Sequence, residues 1–381
     1  MKILHLGKYF PPERGGMEAV LKSFSEATGS FIENYCLVAD RRGKTRVESF
    51  GSTTVHYLRQ TCTFLLAPVL PSLPFVLRRL RRYEQFDVIL LHYPNPMAML
   101  ALFLLLLTGK KREKIVIWNH ADVLLEERWK RALYAFFRPI EEFVFRRVDA
   151  FVAATPNHAS SSDTFRRFTE RTCVIPYALQ DSWFVIDEKE KEAAARACER
   201  IGGPFLLFVG RLVPYKGLST LVCAADRIPC RIAIVGAGPL EQEMEKEIKA
   251  KGLSDRVLLL GEVEDIRPYF LACEFFVLPS VSGLEGFGIV QIEAMALGKP
   301  VVCSDLPTGV TYVNAHGETG LVFPVGDDAA LAEACGRLLS DQEFRERLGK
   351  NARDRTLRMF SYKALASAAA TFFDRLLERD T

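Results

Sequence analysis

Apolar and polar positions alternate along this chain in two different rhythms. Short, almost unbroken apolar runs at residues 3–7, 36–39, 55–58, 88–91, 115–118, 150–154 and 173–175 have the length of buried strands. Between them lie longer stretches with apolar residues three and four apart, as at 17–28, which predict amphipathic helices. The alternation restarts at 205–209 and continues through 232–235, 257–260, 275–278, 301–303 and 321–323. Strands alternating with helices predict a parallel sheet covered on both faces. Two consecutive α/β halves predict two doubly wound, Rossmann-like domains, 1–185 and 186–361, joined near 180–203 and followed by an amphipathic helix over 362–381. Ligands of open sheets sit beyond the carboxyl ends of the strands. Two such domains facing each other would place the chemistry in one cleft.

Composition narrows the class without changing that picture. Of 381 residues, 49% are hydrophobic and 25% charged, which is enough for real cores in a water-facing protein. The net charge of +3 conceals an asymmetry: residues 1–185 carry 26 Lys and Arg against 18 Asp and Glu, and the remainder 24 against 29. A basic amino-terminal half predicts an anionic partner, either a membrane surface or a phosphate-bearing acceptor. No nucleic-acid-binding motif is present, so nucleic acid is not expected as a partner. The nine cysteines are scattered, without a C-x-x-C pair, which favours free thiols in a reducing cytoplasm over disulfides or zinc. The opening MKILHLGKYFPP has no apolar run of the signal-peptide kind. The most apolar run, 97–107, is about half of the ~20 residues that span a bilayer, so it is expected to be a buried helix.

The densest candidate chemistry lies at 278–302, LPSVSGLEGFGIVQIEAMALGKPVV. An apolar strand leads into a turn carrying Glu285, Gly286 and Gly288, and Ile289, Ile292, Ala296 and Leu297 then recur at helical spacing. A glycine loop at a helix start offers backbone N–H groups and the positive end of a helix dipole to an anion or to sugar hydroxyls. Glu293, between one and two turns into the helix, should point to the side that the loop covers. Two glutamates eight residues apart are by themselves ordinary surface charge. The segment E-G-F-G-I-V-Q-I-E-A-M-A-x-G-x-P-V-V, however, resembles the signature of the large retaining glycosyltransferase family of GT-B architecture (family 4, glycosyl transferases group 1). That family's E-x7-E motif matches at Glu285 and Glu293.

Further stretches extend the resemblance. Gly15-Gly16, between the first strand and the first helix, resembles the family's amino-terminal glycine loop, which faces the donor diphosphate; two glycines let the backbone approach a ligand closely. In FVGRLVPYKG, Arg211 and Lys216 follow a strand end. A departing nucleoside diphosphate needs positive charge where its own charge accumulates, and Arg offers a fork and Lys a compact charge. Gly236-Ala237-Gly238-Pro239 lacks the last glycine of a dinucleotide fingerprint, since Glu241 stands there. The resemblance places this stretch near the nucleotide, and Gly261-Glu262-Val263 where the family's backbone meets the base. W-N-H-A-D at 118–122 resembles a W-H-S-D-like segment in a subgroup of bacterial transferases, with an insertion. There His120 would contact the donor sugar, and Asp122 would partner His120 or the acceptor. The subgroup's H-x-P-N-P and T-P-N stretches match at His92 to Pro96 and at Thr155, Pro156 and Asn157.

The resemblance spans nearly the whole chain and is densest from 208 to 323. It implies a GT-B fold with 1–185 on the acceptor side, 186–361 binding the donor, and the last helix crossing back to the amino-terminal domain. It implies a retaining hexosyltransferase, above all one moving mannose from GDP-mannose to a lipid-linked saccharide in O-antigen, exopolysaccharide or lipopolysaccharide assembly. Glu285 with the backbone of Gly286, Phe287, Gly288 and Ile289 would hold the donor sugar, Glu293 the ribose hydroxyls, and Arg211 and Lys216 the leaving diphosphate. No residue stands out as a covalent nucleophile. No Asp-x-Asp pair occurs, so neither a metal nor another cofactor is expected. A UDP-sugar donor is the alternative, and a GT-B-fold sugar-nucleotide epimerase or a non-catalytic sugar-nucleotide sensor are rivals from other classes. Arg78, Arg79, Arg81 and Arg82, with Phe64, Leu65, Leu66, Leu73 and Phe75 nearby, predict peripheral attachment to the inner face of the cytoplasmic membrane.

Overall fold

A computed structural model describes residues 1–378 except Arg14, Leu66, Lys110 and 124–126. The chain forms two compact units, the first of Met1–Ala154, Ala159–Ala178 and the chain from Tyr362, the second of Thr155–His158 and Leu179–Ser361. The division expected after residue 185 therefore falls after Ala178. The Thr155-Pro156-Asn157 turn packs with the second unit, where Asn157 Nδ2 donates to Thr308 O (3.1 Å) and Thr311 Oγ1 (3.2 Å).

The first unit contains β1 (Lys2–Leu6), β2 (Glu33–Asp40), β3 (Arg46–Phe50), β4 (Thr53–Arg59), β5 (Cys62–Phe64), β6 (Ala67–Val69), β7 (Val88–Tyr93), β8 (Lys114–Asn119), β9 (Ala150–Ala153) and β10 (Thr172–Val174). Eight of these form a sheet in the order β10-β9-β8-β7-β1-β2-β4-β3, and β5 and β6 form a separate hairpin. All neighbours in the large sheet are parallel except β3, which runs antiparallel to β4 at the edge. Side chains alternate across it. Leu4, Leu6, Ile89 and Leu91 enter one core together with Leu73, Leu77, Leu102 and Phe145 from three helices, Leu73–Tyr83, Pro96–Leu107 and Arg128–Phe145. His5 and His92 face the other way, where Phe24 of the helix Gly16–Thr28 meets His5 and Trp118 edge-on, each at 5.4 Å. The helix Tyr362–Glu378 packs on Gly16–Thr28 in this same unit: Tyr362 Oη donates to Glu26 Oε2 at 2.6 Å, and Phe373 lies 6.3 Å from Phe24.

The second unit is a six-stranded, all-parallel sheet of β11 (Phe205–Val209), β12 (Arg231–Val235), β13 (Val257–Leu259), β14 (Phe276–Leu278), β15 (Val301–Ser304) and β16 (Gly320–Phe323), in the order β13-β12-β11-β14-β15-β16. Its strands are almost continuously apolar because helices cover both faces. The order reverses between β11 and β14, and a crevice opens at such a switch point beyond the strand ends.

The long apolar run at 97–107 is the helix Pro96–Leu107, with Ala98, Met99, Ala101, Leu102 and Leu106 buried. Among the described residues no helix is long and apolar enough to cross a membrane. The four arginines of the helix Leu73–Tyr83 and its approach do not form one patch. Arg78, Arg79 and Arg82 are exposed. Arg81 instead grips Glu113 with two hydrogen bonds of 2.6 Å, and the two side chains are only 9% and 3% exposed. Removing one partner of a buried pair strands the other charge. Arg81→Gln should therefore destabilise the protein by about 3–5 kcal/mol. Arg78→Gln should change stability by no more than about 0.5 kcal/mol. Denaturant midpoints of the two variants check this, and equal midpoints would contradict the buried pair.

Candidate active site

The loops beyond β11 and β14 are bound together. Val281 N donates to Tyr215 O at 2.8 Å. Gly217, at φ 66°, sits so close to the second loop that a Cβ there would lie 1.9 Å from Pro279 O. Only glycine supplies both the left-handed backbone and that approach. The neighbouring Lys216 Nζ donates to Glu285 Oε2 at 2.6 Å, and Ser280 Oγ donates to the same oxygen at 2.9 Å. Both Lys216 and Glu285 are buried, and Glu285 Oε1 has no hydrogen bond among the described residues. Arg211, five residues before Lys216, is exposed and makes no ion pair among the described residues.

The loop carrying Glu285 is held from the β15 side. Thr308 Oγ1 donates to Glu285 O at 2.8 Å and Gly309 N to Gly286 O at 2.7 Å. Phe287 is buried against Phe360, with ring centroids 5.7 Å apart. Gly288 caps the helix Ile289–Ala296 in the left-handed conformation, at φ 71°. Glu293 lies one turn into that helix. It is half-buried, and its Oε2 is shut away from solvent without a hydrogen-bond partner. Burial alone raises its carboxyl from 4.5 to about 7. The two carboxylates of the motif thus differ in kind: Glu285 is paired, and Glu293 is unpaired.

Gly236 and Gly238 have a reason of their own to be glycine. A Cβ at 236 would lie 2.0 Å from Gly210 O, and one at 238 would lie 2.4 Å from Leu212 O. Backbone bonds from Leu212 N to Ala237 O and from Leu240 N to Leu212 O, 3.0 and 3.1 Å, run through the same contact. These glycines close the β12 loop onto the loop of Arg211. Val263 is half-buried and lines a cavity with Leu260, Glu262, Arg200 and Tyr269.

In the first unit Gly15 and Gly16 are exposed at the start of the helix Gly16–Thr28. Two residues that sequence reading passed over stand beside them. Glu18 is buried in the first turn, and burial raises its carboxyl. Lys8, half-buried just past β1, has no ion pair among the described residues, and burial lowers its ammonium. Glu18 closely follows the stretch that resembles the family's glycine loop, whereas Lys8, ten residues earlier, carries no motif, and only the fold brings the two charges near each other. His120 lies just past β8, stacked on Trp118 and on His92. Both of its ring nitrogens are engaged, Nε2 with His92 Nδ1 (2.9 Å) and Nδ1 with Tyr177 Oη (2.6 Å). Asp122 is not its partner. Asp122 Oδ1 accepts instead from Asn119 Nδ2 (3.1 Å) and Ser162 Oγ (2.7 Å) and braces the local turn. Among the described residues, no group of three or more His, Cys, Asp or Glu is placed to hold a metal ion.

The chain resembles known proteins along nearly its whole length. The family described as Glycosyltransferase Family 4 matches residues 14–180, and Glycosyl transferases group 1 matches residues 186–355. The chain is 31% identical to O-antigen chain mannosyltransferase C of Escherichia coli, over 99% of each protein. It is 34% identical to the D-rhamnosyltransferase WbpZ of Pseudomonas aeruginosa, over 95% of this chain and 92% of the relative. A solved sucrose-phosphate synthase from Thermosynechococcus elongatus superposes with a TM-score of 0.81 at 22% identity, covering 99% of both chains, which shows a shared fold.

The raised carboxyl of Glu293 has a measurable sign. The folded chain holds this proton up to about pH 7, whereas the ordinary carboxyl loses it at 4.5. Between those values the folded state binds more protons than the unfolded one, so the contribution is present below 4.5 and is lost as the pH rises through 7. Glu293→Gln removes the buried charge. The unliganded variant should exceed the native protein in stability at pH 8 by about 1–2 kcal/mol, less than the full shift because part of the residue meets solvent. At pH 4.5 the two should coincide. Urea unfolding at both values decides it, and a pH-independent difference would contradict a buried, unpaired carboxyl.

Proposed function

This chain belongs to family 4 of the glycosyltransferases and has the GT-B fold, and we propose that it transfers mannose from GDP-mannose to a lipid-linked saccharide during assembly of a surface polysaccharide. The observation that carries this reading is the full-length likeness to an O-antigen chain mannosyltransferase. The site supports it with a cation buried at the switch point and two carboxylates in unlike states. In this reading Lys216 and Arg211 meet the diphosphate, where leaving-group charge accumulates. Glu285 Oε1 and the loop Gly286, Phe287, Gly288 and Ile289 take the sugar hydroxyls. Glu293 accepts from the ribose hydroxyls. The bond from the anomeric carbon to the phosphate oxygen breaks as the acceptor oxygen attacks the same face. The acceptor proton passes to the leaving phosphate, so no protein nucleophile is needed and configuration is retained.

A second reading has an observation in its favour. The 34% identity to a D-rhamnosyltransferase points to 6-deoxymannose as the sugar, and mannose and D-rhamnose differ only in the C6 hydroxyl. Purified protein with radiolabelled GDP-mannose, GDP-D-rhamnose or UDP-glucose, with and without polyprenyl-linked acceptor, separates the readings. We expect lipid-dependent incorporation from GDP-mannose that persists in EDTA, because protein cations neutralise the leaving group. Conversion of the donor without acceptor would mark an epimerase, and binding without turnover a sensor. Loss of activity in EDTA, restored by Mg²⁺, would overturn the cation-only account.

The acceptor side supports a membrane-facing role for the first unit, on different residues from those read in the sequence. The Arg81 side chain is turned onto Glu113, Leu73 is buried, and Leu66 lies outside the described residues. Phe64, Leu65 and Phe75 are exposed, with Arg78, Arg79 and Arg82. In the same helical layer, the helix Arg128–Phe145 bares Trp129, Leu133 and Phe136 at 56%, 41% and 82% exposure, spaced four and three residues apart and so on one stripe. Arg128, Arg131 and Arg138 are exposed on the same helix. Aromatic residues inserting among anionic head groups, with basic residues around them, bind reversibly and weaken with salt. Each basic residue near such a surface contributes about 1 kcal/mol. Liposome flotation should show binding to phosphatidylglycerol vesicles that falls at least about tenfold for Trp129→Ser combined with Phe136→Ser. Equal binding to neutral vesicles, or no change in that variant, would remove this surface.

A further inference from the structure

Three histidines in the first unit form a continuous hydrogen-bonded row. Asn34, His5, His92 and His120 come from β2, β1, β7 and the residue after β8, which are adjacent in the sheet. The register explains the row. Ile3 pairs with Asn34, His5 with Leu90, and His92 with Trp118, so each side chain lies two positions beyond the residue paired with the one before it. Two positions keeps all four on one face and sets them on a diagonal, within reach of long side chains. His5 Nε2 is 2.9 Å from Asn34 Oδ1, His5 Nδ1 is 3.1 Å from His92 Nε2, and His92 Nδ1 is 2.9 Å from His120 Nε2. Tyr177 Oη lies 2.6 Å from His120 Nδ1.

From Asn34 to His120 Nε2 the protons in this row have only one arrangement. Asn34 Nδ2 donates to Ser25 O, Ile32 O and Thr28 Oγ1 at 3.2–3.3 Å, and Thr28 Oγ1 spends its own proton on Phe24 O, so the amide cannot be turned round. Asn34 Oδ1 must therefore accept from His5 Nε2–H. Burial holds His5 near 4 and His92 well below 6.5, so both rings are neutral at pH 7 and each carries one proton. His5 Nδ1 is then an acceptor, so His92 Nε2 donates. His92 Nδ1 is an acceptor in turn, so His120 Nε2 donates. In the neutral His120 ring, Nδ1 accepts from Tyr177 O–H.

We propose that His5 and His92 are positioning residues for glycosyl transfer, holding His120 in the single Nε2–H tautomer and thereby committing the Tyr177 proton to His120. Any further group that meets Tyr177 Oη must donate to it, as a sugar hydroxyl does and a phosphate oxygen does not. His120 then acts through the placement of its ring and through Tyr177, and its own nitrogens stay within the row. The role in catalysis rests on the reading of His120 as a donor-site residue; the tautomer does not.

Nitrogen-15 NMR of the full-length protein labelled at histidine reads the tautomers directly. We expect His120 with a protonated Nε2 and a bare Nδ1 at pH 7, and a protonated Nδ1 would overturn the proposal. His92→Asn keeps an acceptor oxygen opposite His120 Nε2, and His92→Leu removes it. With the leucine, His120 should show both tautomers and kcat should fall about five- to tenfold at near-constant donor KM; the asparagine should restore both. If both variants lose activity equally while folded, packing rather than proton placement is what matters, and the proposal fails. If the tautomers behave as expected and neither variant changes transfer, the row stands as structure, and its positioning role in transfer is refuted.

Discussion

Lys216 and Glu285 neutralise each other across the one place where the second sheet reverses its strand order. Neither charge would be tolerable alone at that depth, because an unpaired buried ion costs several kcal/mol. The pair obliges the β11 and β14 loops to stay together, and the remaining contacts follow from it. Gly217 has to be glycine so that the loops can touch, and Ser280 fills the remaining acceptor direction of Glu285 Oε2. Thr308 and Gly309 then fix the backbone of Glu285 and Gly286 from the next strand. In the proposed reading a diphosphate arriving here would meet a cation that is already oriented, and Lys216 would share its three donors between the phosphate and Glu285.

Much of this was legible in the chain because it depends on local pattern. Every apolar run read as a strand is a strand, and the loop at 285–288 leads into a helix as its glycines and the spacing of Ile289 and Ile292 require. The edge strand β3, RVESF, was missed because an exposed antiparallel edge needs little apolar content. The glycines at 236 and 238 were visible, but their packing against Gly210 and Leu212 was not, since that contact joins two strand ends about 26 residues apart. The row from Asn34 to Tyr177 was equally hidden. His5 and Tyr177 carry no motif, and only the strand order and register bring them onto one face with His92 and His120.

Arginines show the same limit from the other side. Four of them within five residues read as one surface, yet a helical turn separates their directions by about 100° per residue. Arg81 consequently points inward to Glu113, while Arg78, Arg79 and Arg82 stay outside. On the helix Arg128–Phe145 the reverse holds. Its mixed composition concealed an apolar stripe that nothing in its own unit covers among the described residues. A charge count along a sequence thus gives the sign of a half-molecule's field, and the helix geometry decides which side chains express it.

The unlike states of Glu285 and Glu293 make chemical sense only together. Glu285 has its charge compensated by Lys216 within the protein and offers an acceptor at Oε1. Glu293 has its Oε2 buried without a partner and holds its proton to about pH 7. A hydroxyl that donated to Oε2 would stabilise the ionised form and lower the carboxyl. In the proposed reading, this difference between the two carboxylates would suit a ligand whose phosphates stop at Lys216 and Arg211 and whose hydroxyls reach Glu285 and Glu293. It follows from burying one carboxylate beside a cation and the other without one.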